Sequence, residues 1–232
     1  MTLEVDASTL TPMQGEEVEL YAYVEDERGN IITGASVRAV AGGTSVEFYL
    51  STTAPFRYVG VLDTSKLLGD VVVHIYASAE GLGTLHGWIH LTITGRFLVD
   101  AWLDDATPTK GDTVRAYIRV SDYGGRPVED ATVSIVIGTT SISATHVADG
   151  LYVAEIDTSA LSGSVSATVR VEKEGFEAKE VPLALEVKEL VEKPTPSLTE
   201  RLIGDPLGLI ALAGVALGLI GLSLGLVSFF KR

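Results

Sequence analysis

Cysteine is absent from all 232 residues, which excludes disulfides, a thiolate nucleophile and a cysteine-based zinc site. Stability must therefore come from core packing. Side-chain amides are almost missing as well: Gln14 and Asn30 are the only two, and methionine occurs twice. Such avoidance of thermolabile residues points to a heat-loving prokaryote, with an archaeon the expected source. Asn30 is followed by Ile31 and Ile32, so the chain has no Asn-x-Ser/Thr acceptor. Basic residues are outnumbered, 17 against 31 acidic ones, for a formal net charge of -14. Without a basic stripe to neutralise phosphates, nucleic acid is excluded as a partner. Docking of the acidic part onto an anionic lipid face is excluded on the same ground.

Charge of either sign is missing from residues 207–230, LGLIALAGVALGLIGLSLGLVSFF, and Lys231-Arg232 follow at once. At ~1.5 Å per residue, a helix over 206–230 exceeds the ~30 Å hydrocarbon core of a bilayer. The run is expected to be a single transmembrane helix. Its basic end suggests a cytoplasmic C-terminus, although Lys188, Lys193 and Arg201 lie on the other side. That orientation requires an export signal, and Met1-Thr2-Leu3-Glu4-Val5-Asp6 is not one, so a longer protein with an upstream leader is expected. A cytosolic, tail-anchored protein is the alternative that needs no leader. Gly214 and Gly218, then Gly221 and Gly225, each set two small residues on one helix face, the spacing that lets a second helix approach. Residues 189–205, with Pro194 and Pro196, read as an extended stalk.

The rest of the chain is one unit written twice. TPMQGEEVELYAYVEDERGNIITGASV (11–37) matches TPTKGDTVRAYIRVSDYGGRPVEDATV (107–133) without a gap. Farther on, Tyr58, Asp63-Thr64-Ser65 and Glu80-Gly81 answer Tyr152, Asp157-Thr158-Ser159 and Glu174-Gly175. A repeat this long predicts tandem domains rather than a solenoid. Val18, Leu20, Ala22 and Val24 alternate with Glu19, Tyr21 and Tyr23, and Val114, Ala116, Ile118 and Val120 do the same. Period-two alternation buries one face of a strand. Seven or so such strands per repeat, separated by Gly- and Pro-containing turns, predict an all-β chain with two antiparallel β-sandwiches. Expected boundaries are 1–95, 96–188, the 189–205 stalk, the 206–230 helix and the basic end at 231–232.

The pattern Pro-x-x-Gly-x-x-Val, a strand, then Asp-x-x-Gly leading to Ala-x-Val, with Gly150-Leu151-Tyr152 and Glu174-Gly175-Phe176 later, resembles the immunoglobulin-like modules of prokaryotic surface proteins. It is also similar to the macroglobulin-type sandwich. The resemblance covers roughly residues 3–188 and implies a fold more than a function. No thioester motif accompanies it, so it does not imply a trapping activity.

Unusual side chains gather in the first repeat only. Alternation sends Val71, Val73 and Ile75 inward and leaves His74 and Tyr76 outward; it sends Leu85, Ile89 and Leu91 inward and leaves His86, Trp88 and His90 outward. If the two strands pair, His74, Tyr76, His86, Trp88 and His90 share one sheet surface. The second repeat has Thr168, Arg170, Glu180, Pro182 and Ala184 at those places, so the fold itself does not require the cluster. The primary reading is a partner-contact face; a transition-metal site at His74, His86 and His90 is the secondary one. The acidic turns at 25–27, 104–105, Asp122 and 129–130 lack a calcium-loop pattern. No Gly-x-Ser-x-Gly, His-Glu-x-x-His or phosphate loop occurs, so the expectation is a non-enzyme without a cofactor. These readings combine as a membrane-anchored surface protein that works in adhesion, S-layer-type envelope anchoring or spacing, through surface proteins or envelope glycans. The alternative is an accessory subunit of a transporter, secretion or surface-enzyme complex, docked through its Gly-faced helix.

Overall fold

A computed structural model describes residues 1–190. The expectations for the stalk beyond Leu190, the 206–230 helix, Gly214, Gly218, Gly221, Gly225 and the basic end lie outside these residues. Among the described residues there is no helix long and apolar enough to cross a membrane.

Met1–Glu189 form one compact unit that is all β. Its first half comprises β1 (Thr2–Ala7), β2 (Glu17–Glu25), β3 (Ser36–Ala41), β4 (Thr44–Glu47), β5 (Tyr49–Leu50), β6 (Tyr58–Asp63), β7 (Gly69–Ala79) and β8 (Gly83–Ile93). The second half comprises β9 (Phe97–Leu103), β10 (Thr113–Asp122), β11 (Thr132–Ile137), β12 (Thr140–Ser143), β13 (Thr145–Ala148), β14 (Leu151–Asp157), β15 (Gly163–Glu172) and β16 (Lys179–Val187). Sheet order is β1-β2-β6-β5 against β4-β3-β7-β8, then β13-β14-β10-β9 against β12-β11-β15-β16, with antiparallel pairing throughout the named strands. These are immunoglobulin-like β-sandwiches.

The alternating pattern is what closes each sandwich. Val18, Leu20, Ala22 and Val24 are fully buried and meet Val37, Ala39, Val73, Ile75, Ile89 and Leu91 of the facing sheet. Val114, Ala116, Ile118, Val120, Ile135, Val169 and Val171 form the separate core of the second sandwich. Each half has eight strands rather than about seven, because one strand changes sheets partway. Phe48 donates its N–H to the Val37 carbonyl and Ala144 does the same to Val133, so β4 and β12 stay with one sheet while β5 and β13 cross to the other.

Side chains pin matching corners in both copies. The Tyr58 hydroxyl donates to the Ile32 carbonyl at 2.7 Å and accepts the Ala35 N–H at 2.9 Å. Tyr152 repeats this with Val128 and Ala131, both at 3.0 Å. Thr64 and Thr158 are fully buried, their hydroxyls donating to Glu16 and Asp112 carbonyls while accepting the Gly15 and Gly111 N–H groups. The duplicated Asp-Thr-Ser motif is therefore a structural fastener, its hydroxyl already occupied.

One core position departs from the repeat. His146 lies opposite Tyr152 on β13, where the first sandwich sets Leu50 opposite Tyr58. Its Nε2 is buried with no hydrogen-bond partner among the described residues. A buried unpaired polar atom is unfavourable, so His146→Leu is expected to stabilise the chain by about 1 kcal/mol in a denaturant melt. A loss of stability would show that the imidazole has a compensating partner.

Candidate functional site

The β7–β8 hairpin is eleven residues long on each side, and its register runs without a bulge from Gly69 opposite Ile93 to Ala79 opposite Gly83. That regularity carries side chains of one parity onto the outer face of the sheet. Tyr76 lies opposite His86, His74 opposite Trp88, and Val72 opposite His90. Across β3 and β4 the rows extend to Arg38 and Glu47 beside Tyr76, and to Val40 and Ser45 beside His74.

The side chains form a continuous strip. His74 Nδ1 and His86 Nε2 are 3.0 Å apart, a hydrogen bond in which one ring donates and the other accepts, so at least one imidazole is neutral. Tyr76 stacks on His86 with centroids 4.8 Å apart and 17° between the planes. Trp88 tilts against His86 at 5.9 Å and is 58% exposed. The Arg38 guanidinium lies 5.4 Å from the centre of the Tyr76 ring, an exposed cation–π contact worth about 0.5–1 kcal/mol. Arg38 escaped sequence reasoning. Its only signal was the outward parity of Ser36, Arg38 and Val40, and the partner strand of β3 was unknown from sequence.

His74, Tyr76 and Trp88 thus each meet His86, whereas His90 sits one row beyond, opposite Val72. Among the described residues no group of three His, Asp or Glu side chains converges on a point where an ion would sit. The His74–His86 hydrogen bond uses one nitrogen of each ring, His74 Nδ1 and His86 Nε2. What the strip offers is a flat surface of rings with polar edges, suited to burying area against a partner while keeping hydrogen-bonding tips. The corresponding face of the second sandwich has Ser134 and Val136 beside Arg170 and Thr168, then Glu180 and Pro182.

Aspartates of the acidic turns accept hydrogen bonds from the protein itself. Asp26 accepts hydrogen bonds from the Arg28 and Asn30 backbones and from the Asn30 amide. The Asn30 side chain foremost, then those backbone N–H groups, holds its carboxyl below the ordinary aspartate range. Asp122 accepts from the Arg126 backbone and guanidinium, and Asp104 from the Arg115 backbone. Elsewhere, Arg57 lies 3.7 Å from the centre of the Tyr21 ring and donates to Tyr23, which raises its already high pKa. Trp102 stacks on Tyr117 at 5.7 Å and is 43% exposed, so both tryptophans are surface residues.

No protein-family model matches the chain, and no curated protein matches it. Among solved structures it is similar to the Escherichia coli adhesin FdeC, at 22% identity over 80% of this chain and 63% of that one, with a TM-score of 0.43. It is also similar to invasin, a bacterial integrin-binding protein, at 17% identity over 85% of this chain and 40% of that one, TM-score 0.45. An I-band fragment of titin matches at 13% identity over 81% of this chain and 65% of that one, TM-score 0.42. The chain thus spans between 40% and 65% of the lengths of these structures.

Proposed function

We propose that this chain is a non-catalytic, membrane-anchored cell-surface protein with an adhesive or envelope-anchoring role. Residues 206–230 cross the membrane once, the sandwiches stand outside, and Lys231-Arg232 are cytoplasmic. Its partners are other surface proteins or envelope glycans, met through the face of His74, Tyr76, His86, Trp88 and His90. The observation behind this reading is an asymmetry. Two sandwiches share core, corner tyrosines and buried threonines, yet one alone carries the ring strip. A feature that the fold does without in one copy is explained by contact with something else.

Residues at the centre of a contact that bury an exposed indole commonly contribute 2 kcal/mol or more, roughly thirtyfold in affinity. Proteoliposomes bearing the full chain should therefore adhere to native envelope preparations. Trp88→Ala should reduce adhesion by roughly tenfold or more, and Trp102→Ala should leave it within about twofold. Equal effects from both substitutions would remove the first sandwich's face from the function.

A further inference from the structure

β8 is the outermost strand of its sheet, and β16 has the same place in the second sandwich. Both are covered at their C-terminal ends in the same way. Thr92 and Thr94 donate to the Leu10 and Pro12 carbonyls, and Glu186 and Lys188 donate to those of Ala106 and Pro108. Since the Thr92 N–H points away from β7, strand alternation directs the N–H and C=O groups of Thr84, His86, Trp88 and His90 to the same free side. Over Gly83 to Leu91, β7 is the only strand hydrogen-bonded to β8 among the described residues.

The two edges are protected differently. β16 carries Lys179, Glu180, Pro182 and Glu186 along its length. Pro182, at the place of Trp88, lacks the N–H that would face an added strand, and charges along an edge discourage pairing. β8 has neither device. From Gly83 to Leu91 it reads GTLHGWIHL, without proline or formal charge, in a chain of net charge -14.

We propose that the free edge of β8 pairs antiparallel with β8 of a second copy of this chain, joining two four-stranded sheets into one. Self-pairing of an uncharged strand sets no like charges opposite each other, whereas β1 carries Glu4 and Asp6, both negative. A twofold axis perpendicular to the sheet keeps both ring strips on one face and brings His86 of one copy beside Trp88 of the other. Leu3 and Val5 of β1 fill the space that a side chain at Gly87 would take. Antiparallel pairing sends the chains that follow Ile93 in opposite directions. Resting on the anchored, adhesive reading above, this makes β8 a homophilic contact between two facing surfaces.

The test is amide hydrogen exchange on the full chain in detergent, carrying Gly218→Ile to suppress association through the apolar tail, over a wide concentration range. The amides of His86, Trp88 and His90 should exchange about tenfold or more slowly at high than at low concentration. Trp88→Ala keeps the backbone donor and should retain this dependence, while Trp88→Pro, which reproduces Pro182, should abolish it. Protection of the β7 amides reports that the proline variant is folded. Exchange at His86, Trp88 and His90 that is independent of concentration in the Trp88-containing chain overturns strand pairing, whatever the proline variant does. If that result comes with intact adhesion to envelope preparations, pairing alone fails; if adhesion also fails, the contact-face reading falls with it.

Discussion

Tyr152→Phe will destabilise the second sandwich by roughly 2–4 kcal/mol, because one lost hydroxyl leaves two backbone groups without partners. The side chain is 2% exposed, and Val128, whose carbonyl it binds, is 4% exposed, so water cannot readily replace it. The ring stays, so no cavity term enters and the measured difference reports hydrogen bonding. Tyr58→Phe should cost less, since Ile32 is only partly buried where Val128 is buried, while Ala35 and Ala131 are alike in being partly buried. Chemical denaturation followed separately by Trp88 and Trp102 fluorescence checks the ranking. Equal costs below about 0.5 kcal/mol would mean that these hydroxyls fasten nothing.

Gln14→Leu will have the second large effect, at the junction between the repeats. Gln14 is fully buried, donates from Nε2 to the Ser65 carbonyl at 3.0 Å, and accepts the Tyr123 N–H at 3.3 Å. Next to it, Gly15 has a φ of +91° and lies so close to the Tyr123 ring that a Cβ there would overlap it. Leucine fills a similar volume but satisfies neither backbone group, a cost of about 1–3 kcal/mol for each that stays dry. The repeat supplies the control. Lys110 occupies the same place in the second copy, pairs with Glu189 at 3.4 Å, and is partly exposed. Exposed ion pairs contribute little, so Lys110→Leu should change stability by less than about 1 kcal/mol. Equal costs for Gln14→Leu and Lys110→Leu would place the junction's stability elsewhere.

These two cases also show where sequence reading succeeds and where it stops. Period-two alternation made the inward residues of β2 and β10 readable, and the repeat revealed Tyr58 and Tyr152 as equivalents. The outward parity of His74, Tyr76, His86 and Trp88 was readable from alternation, and the pairing of β7 with β8, conditional in the sequence, brings them onto one surface. Arg38 was not, because β3 reaches β7 only through a long-range pairing that the local pattern does not contain. The sheet change at Phe48 was hidden for a similar reason. Alternation continues through TSVEFYL, and only the hydrogen bond from Phe48 to Val37 marks the crossing. Gln14 stood out by rarity, yet its partners Ser65, Arg96 and Tyr123 are 51, 82 and 109 residues away. No window of sequence joins them.

The contact face is tested most directly by the reactivity of the two tryptophans on intact native cells. Trp88 and Trp102 are 58% and 43% exposed in the free chain, one in each sandwich, so each is the other's reference. Radical footprinting should find Trp88 strongly slowed on the cell relative to the purified full chain, with Trp102 unchanged. Equal reactivity of both residues on cells and in the purified chain would contradict the assignment of the ring strip as the surface through which this protein works.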